Sequence, residues 1–149
     1  MPDTPDTIGP ETILAFDYGR RRIGVAVGQT VTASASPLGV VGNDYTGPDQ
    51  AKIDALIREW RPNRLVVGMP AHADGSSSDM QDYVNQFIAE LATYQLPVET
   101  VDERYTSVEA EAELKKARVA GTRGRISKEE IDSAAAVLIA ERYLAARND

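Results

Sequence analysis

Three acidic residues stand where apolar sequence would otherwise run on. Asp17 closes Ile13-Leu14-Ala15-Phe16, Glu103 closes Val98-Glu99-Thr100-Val101-Asp102, and Asp132 lies near the start of the apolar C-terminal stretch. Taking a carboxylate out of water is costly unless a partner offsets the lost hydration. Three such groups at the ends of core elements point to a shared partner, and carboxylate oxygen is the donor that hard divalent cations select.

Ten of the 16 Lys and Arg residues lie next in sequence to these acids: Arg20, Arg21 and Arg22 follow Asp17, Arg104 follows Glu103, and Lys115, Lys116, Arg118, Arg123, Arg125 and Lys128 precede Asp132. Taken singly, each reads as a solvated surface charge. As a set they outline a basic rim around an acidic centre, which suits a phosphate backbone. The net charge of −7 opposes nonspecific binding to nucleic acid, so the distribution has to outweigh the total.

With 149 residues, 42% of them hydrophobic, the chain is expected to build one core, in a domain over 12–149 after a flexible leader, 1–11. It has no cysteine, which removes disulfides, thiolate zinc sites and cysteine nucleophiles together and suits a reducing cytoplasm. No apolar run approaches the roughly 18 to 20 residues of a membrane span, so a soluble cytoplasmic protein with no membrane partner is expected.

The elements that must position the acids follow from periodicity and punctuation. Residues 12–18 and 22–28 are apolar runs joined by Gly19-Arg20-Arg21, which predicts a β-hairpin, with a third strand near Leu38-Gly39-Val40-Val41. Asn43 to Pro48 reads as loop, and Pro48 as the opening of a helix with Ile53, Leu56, Ile57 and Trp60 on one face. Leu65-Val66-Val67-Gly68-Met69 is apolar throughout, as expected of a strand covered on both faces. Ser78-Asp79-Met80-Gln81 has the form of a capping box, ahead of a stripe of Met80, Tyr83, Val84, Phe87, Ile88 and Leu91 that reads as core. Val98–Asp102 is a further strand, Thr106-Ser107-Val108-Glu109 starts another helix, and the Gly- and Arg-rich segment 119–126 reads as a loop.

Ser127-Lys128-Glu129-Glu130 is a third capping box, and the last helix is expected to end near Ala146. Helical steps from Asp132 reach Ala135, Ala136, Ile139, Tyr143 and Ala146, so the carboxylate shares a stripe with side chains that must face the sheet. Ala134-Ala135-Ala136 would let that helix approach the strands closely. The competing role for Asp132 is an interaction with the N-terminal dipole of its own helix. If it does converge with the other acids, Asp132→Asn is expected to leave the metal-free protein as stable or slightly more so, because repulsion is relieved.

Leu14-Ala-Phe-Asp17-Tyr-Gly-Arg-Arg-Arg-Ile-Gly-Val-Ala-Val27, Val67-Gly-Met-Pro70 with Asp74-Gly-Ser76, Asp102-Glu-Arg-Tyr-Thr-Ser107 and Ile131-Asp-Ser-Ala-Ala-Ala136 together resemble the four motifs of the YqgF (RuvX) family. This is a group of bacterial RNase H-like proteins assigned to Holliday-junction resolution and to pre-16S rRNA processing. The match runs from about residue 12 to 146, in order. It implies an RNase H-like α/β fold, with a central mixed sheet of about five strands, the first three antiparallel, and helices on both sides. It also implies a divalent-metal nuclease site, with Asp17, Glu103 and Asp132 as the catalytic, metal-binding triad. Two departures stand out: Gly28-Gln29 replaces an Asp common after the second strand, and Ala71-His72 replaces an Asn in the loop after Pro70. They leave the roles of Gln29 and His72 open, and His72 reads as an exposed loop residue.

Such a site would hold two Mg²⁺ or Mn²⁺ ions about 3.5 to 4 Å apart, one activating water and the other stabilising the leaving oxygen. Asp102 is the alternative to Glu103, because strand alternation sends the two to opposite faces. Arg20, Arg21, Arg22, Arg104, Arg123 and Arg125 are the candidate phosphate contacts. The implied function is a metal-dependent endonuclease acting on pre-16S rRNA, with branched DNA as the alternative substrate and a ribosomal precursor particle or a second copy of the chain as further partners. Two readings from other classes compete. One is a phosphate loop like that of the actin and sugar-kinase ATPases, which need two such domains; the other is a noncatalytic nucleic-acid-binding assembly factor.

Overall fold

The computed structural model describes residues 10–70, 80–102 and 127–147. Its centre is one sheet in the order β4-β3-β2-β1-β5-β6. The strands are β1 (Thr12–Asp17), β2 (Arg22–Gln29), β3 (Ser34–Asp44), β4 (Gly47–Pro48), β5 (Arg64–Met69) and β6 (Val98–Asp102). β1 to β4 pair antiparallel in succession, whereas β5 lies parallel to β1 and β6 parallel to β5. The mixed sheet expected from the sequence is present, with the two-residue β4 as its sixth strand.

Alternation along the strands divides the core into two layers. Leu14, Phe16, Ile23, Val25, Val41, Leu65 and Val67 pack on one face with Ile53 of helix α1 (Gln50–Trp60) and Val84, Phe87 and Leu91 of α2 (Met80–Leu91). Ile13, Ala15 and Val66 pack on the other with Ile139, Ala140, Tyr143 and Leu144 of α3 (Lys128–Arg147). Helices thus cover both sides. Leu65, Val66 and Val67 are fully buried, as a continuous apolar strand between two layers requires.

Several details differ from expectation. α1 begins at Gln50 and is capped by Asp49, whose side chain accepts from the Lys52 amide, while Pro48 lies in β4. The segment read as loop is thus partly strand, since β3 runs on to Asp44. β3 is longer because the β2–β3 register shifts between Val25 and Ala26, skipping Leu38, and the ladder then continues on both sides of the bulge. Tyr83, expected in the core, is 42% exposed, because Val84, Phe87 and Leu91 fill that face of α2. The capping box at Ser78 and the helix predicted after Thr106 lie outside the described residues.

The cap of α3 is as its sequence suggests. The Ser127 amide donates to Glu130 Oε1 at 3.0 Å and the Glu130 amide to Ser127 Oγ at 3.1 Å. The buried stripe is rotated from the predicted one, comprising Ser133, Ala135, Ala136, Ile139, Ala140, Tyr143 and Leu144, with Ala146 exposed. Asp132 therefore sits on its margin, where a carboxylate keeps part of its hydration.

Candidate metal and nucleic-acid site

Asp17 is the last residue of β1 and pairs directly with Gly24 of β2. Directly opposed residues of antiparallel strands lie about 4.5 to 5.5 Å apart and project to the same face. Because Ile13 and Ala15 face α3, alternation sends Asp17 to that face too. Gly24 is where α3 touches down: a Cβ built on it would lie 2.0 Å from the Asp132 carbonyl oxygen. Asp17 and Asp132, 115 positions apart, therefore flank one glycine on one face of the sheet. Two carboxylates carried on one face to the same end of the sheet are donors of the kind a divalent cation takes. Among the described residues no group of three metal-ligating side chains occurs; Glu103 lies outside them.

Asp132 has a partner of its own. Arg22 Nε donates to its Oδ2 at 2.8 Å, both side chains being about 30% exposed. Ser133, which sequence reasoning passed over, seats the turn: its hydroxyl accepts from the Gly39 amide at 3.2 Å and reaches the Val25 carbonyl at 3.5 Å, bridging the strand pair beside the bulge. A polar residue inside Asp-Ser-Ala-Ala-Ala was the available signal, since a buried hydroxyl needs a partner.

The three consecutive arginines diverge. Arg22 turns to α3, while Arg20 stacks its guanidinium 4.7 Å above the ring of Tyr83 on α2, and Arg21 is exposed. Asn43 holds the turn between them, donating from Nδ2 to the Gly19 carbonyl at 2.7 Å and from its backbone amide to the Arg21 carbonyl at 3.0 Å. The sequence alone places Asn43 in a loop, whereas it lies near the end of β3. Asp102 pairs in register with Met69, which packs against the α1 and α2 layer, so alternation directs it away from the face of Asp17 and Asp132. That geometry disfavours Asp102 as a third donor. Arg104, Arg123, Arg125 and His72 lie outside the described residues.

Beyond this chain, the profile of the family described as RuvX, Holliday junction resolvase, matches residues 11–146. A protein of Burkholderia lata named "Putative pre-16S rRNA nuclease" is 47% identical over 134 residues, covering 89% of this chain and 88% of its own. One of the same name from Paraburkholderia xenovorans is 45% identical over 139 residues, covering 93% and 90%. Among solved structures, Thermus thermophilus RuvC in complex with a Holliday junction substrate superposes with a TM-score of 0.58 at 16% identity, over 93% of this chain and 96% of that one. The yeast mitochondrial Holliday junction resolvase gives 0.51 at 11%, over 91% and 78%. These likenesses bear on the fold, which is RNase H-like, whereas the profile and the close relatives bear on descent: the chain belongs to the RuvX family.

Proposed function

We propose that this chain is a metal-dependent endonuclease that hydrolyses phosphodiester bonds in structured nucleic acid, and that its principal task is 5′-end processing of pre-16S rRNA in a cytoplasmic ribosomal precursor particle. The observation that carries this reading is the convergence of Asp17 and Asp132 on Gly24. Glu103 is the third donor in this reading, by its motif. Mg²⁺ or Mn²⁺, when bound, supplies Lewis acidity that activates water and offsets charge at the phosphate. Asp17 and Asp132 present the oxygen donors, Arg22 holds Asp132 in place, and Ser133 fixes the helical turn from which it projects. Arg21, on a turn clamped by Asn43, holds a phosphate beside the scissile one, together with Arg104, Arg123 and Arg125, while Arg20, stacked on Tyr83, meets the nucleic acid on the other side of the turn.

A second reading, resolution of branched DNA, is favoured by the description of the family as Holliday junction resolvases. Incubation with a pre-16S rRNA 5′ fragment and with a four-way DNA junction, each in Mg²⁺ and in Mn²⁺, separates the two. The expected result is metal-dependent cleavage of the RNA, falling at least about 100-fold in Asp17→Asn, as loss of a cation ligand requires. Faster cleavage of the junction would transfer the assignment to DNA. No cleavage of either substrate would leave a noncatalytic binding protein.

A further inference from the structure

On the opposite face of the sheet from Asp132, a cleft of about 460 Å³ opens between the β1–β2 turn, the β3–β4 turn and α2. That is within the size range of small-molecule sites. Tyr18, Arg20, Tyr45 and Tyr83 line it, and Asp44 and Glu90 also border it. Among the described residues only three large hydrophobic side chains are exposed, and two of them, Tyr45 at 100% and Tyr83 at 42%, line this one cleft. Both rings therefore present uncovered faces to whatever enters the cleft. Tyr45 tops a turn ordered by Asp44, whose Oδ1 accepts from both the amide and the hydroxyl of Thr46. Those bonds keep the Asp44 carboxyl below its usual pKa and therefore charged.

We propose that this cleft takes an unpaired nucleobase of the substrate strand, stacked between Tyr45 and the Arg20–Tyr83 pair. The inference rests on the nuclease reading and adds to it where an extruded base goes. Planar rings and a guanidinium already stacked on one of them are the groups that bind single-stranded bases whatever their sequence. Two carboxylates at the border against one arginine disfavour a phosphate inside, which leaves the backbone outside the cleft and admits only the base. Tyr18 follows Asp17 directly, so the cleft begins at the end of the strand that carries Asp17, on its other face.

The test is a single-stranded RNA oligonucleotide carrying 2-aminopurine, titrated with the full chain in EDTA so that no hydrolysis intervenes. The expected result is quenching of the fluorescence on binding by the wild-type chain. Combining Tyr45→Ala with Tyr83→Ala should abolish the quenching and weaken binding about ten-fold or more, while Tyr45→Phe should retain both. Circular dichroism of the double variant checks its fold, and Tyr45→Ala alone, at a fully exposed position, gives the same reading without risk to the core. Quenching and affinity unchanged in both Tyr45→Ala and the double variant would overturn the proposal, even if metal-dependent cleavage were intact. Quenching lost on substitution in a chain that cleaves neither RNA nor junction would support the cleft and overturn the nuclease reading instead.

Discussion

Asp132 carries the sharpest consequence at the scale of single residues. The first turn of α3 already has Glu129 and Glu130 to complement its dipole, so the helix does not depend on Asp132 for that role. Its ion pair with Arg22 also changes an expectation. With carboxylates alone, Asp132→Asn would relieve repulsion; with a guanidinium at 2.8 Å, it removes an attraction. Because both partners are about 30% exposed, the attraction is worth about 0 to 1 kcal/mol. We expect Asp132→Asn to lose no more than that in denaturant unfolding without metal, and to lose cleavage by about 100-fold or more with Mn²⁺, since a cation ligand is gone. Near-normal cleavage with the same stability loss would reduce Asp132 to a surface ion pair.

Between elements, the site depends on how closely α3 lies on β2. The α3-facing positions of that strand are Gly24, Ala26 and Gly28, and the helix answers with Ser133, Ala136 and Ala140. Small residues on both partners bring the backbones together and carry Asp132 to the end of β1. At Gly24 an added methyl would collide with backbone, 2.0 Å from the Asp132 oxygen, whereas at Gly28 it would meet side-chain atoms of Ile13 and Leu144 at 3.0 to 3.3 Å. Backbone cannot rotate away. Gly24→Ala should therefore cost about 2 to 4 kcal/mol and most of the activity, and Gly28→Ala clearly less, around 1 kcal/mol. Denaturant midpoints and cleavage rates of the two variants decide this; equal losses would show that α3 is not seated on Gly24.

Across the whole molecule, the pole opposite the site is closed by charge. Arg64, at the start of β5, donates to Glu11 at 3.0 Å and to Glu99 at 2.9 Å; Tyr143 donates to the same Glu99, and Arg147 lies 3.4 Å from Glu11. Burial alone would disfavour the charged guanidinium, but the Glu11 hydrogen bond and the neighbouring negative charges outweigh it and raise the Arg64 pKa above its usual value. This network joins the residue before β1, the starts of β5 and β6 and the end of α3. Arg64→Met removes the nearer guanidinium from Glu11, whose side chain is only 11% exposed and keeps Arg147 at 3.4 Å, and should cost about 1 to 3 kcal/mol. Cleavage per folded molecule should not change, because Arg64 pairs beside Ile13, about 13 Å along β1 from Asp17. A stability loss under about 0.5 kcal/mol would make the network ornamental.

Much of this was readable along the chain, because the signals are local. Apolar runs joined by a Gly-containing turn mark β1 and β2, a continuous apolar run marks β5, and Ser127-x-x-Glu130 marks the start of α3, each through forces that act within a few residues. Asp17 and Asp132 stood out as candidates for the same reason, being charges set in apolar runs. What only the tertiary structure decided is what these residues face. The true stripe of α3, the exposure of Tyr83, the divergence of Arg20 from Arg22 and the direction of Asp102 all depend on sheet register and on layers that arrive from elsewhere in the chain. Gly24 is the clearest case: in the sequence it is a small residue in a strand, and only the packing of a helix more than a hundred residues away makes its missing Cβ the reason the backbone at Asp132 can lie against the strand that pairs with Asp17.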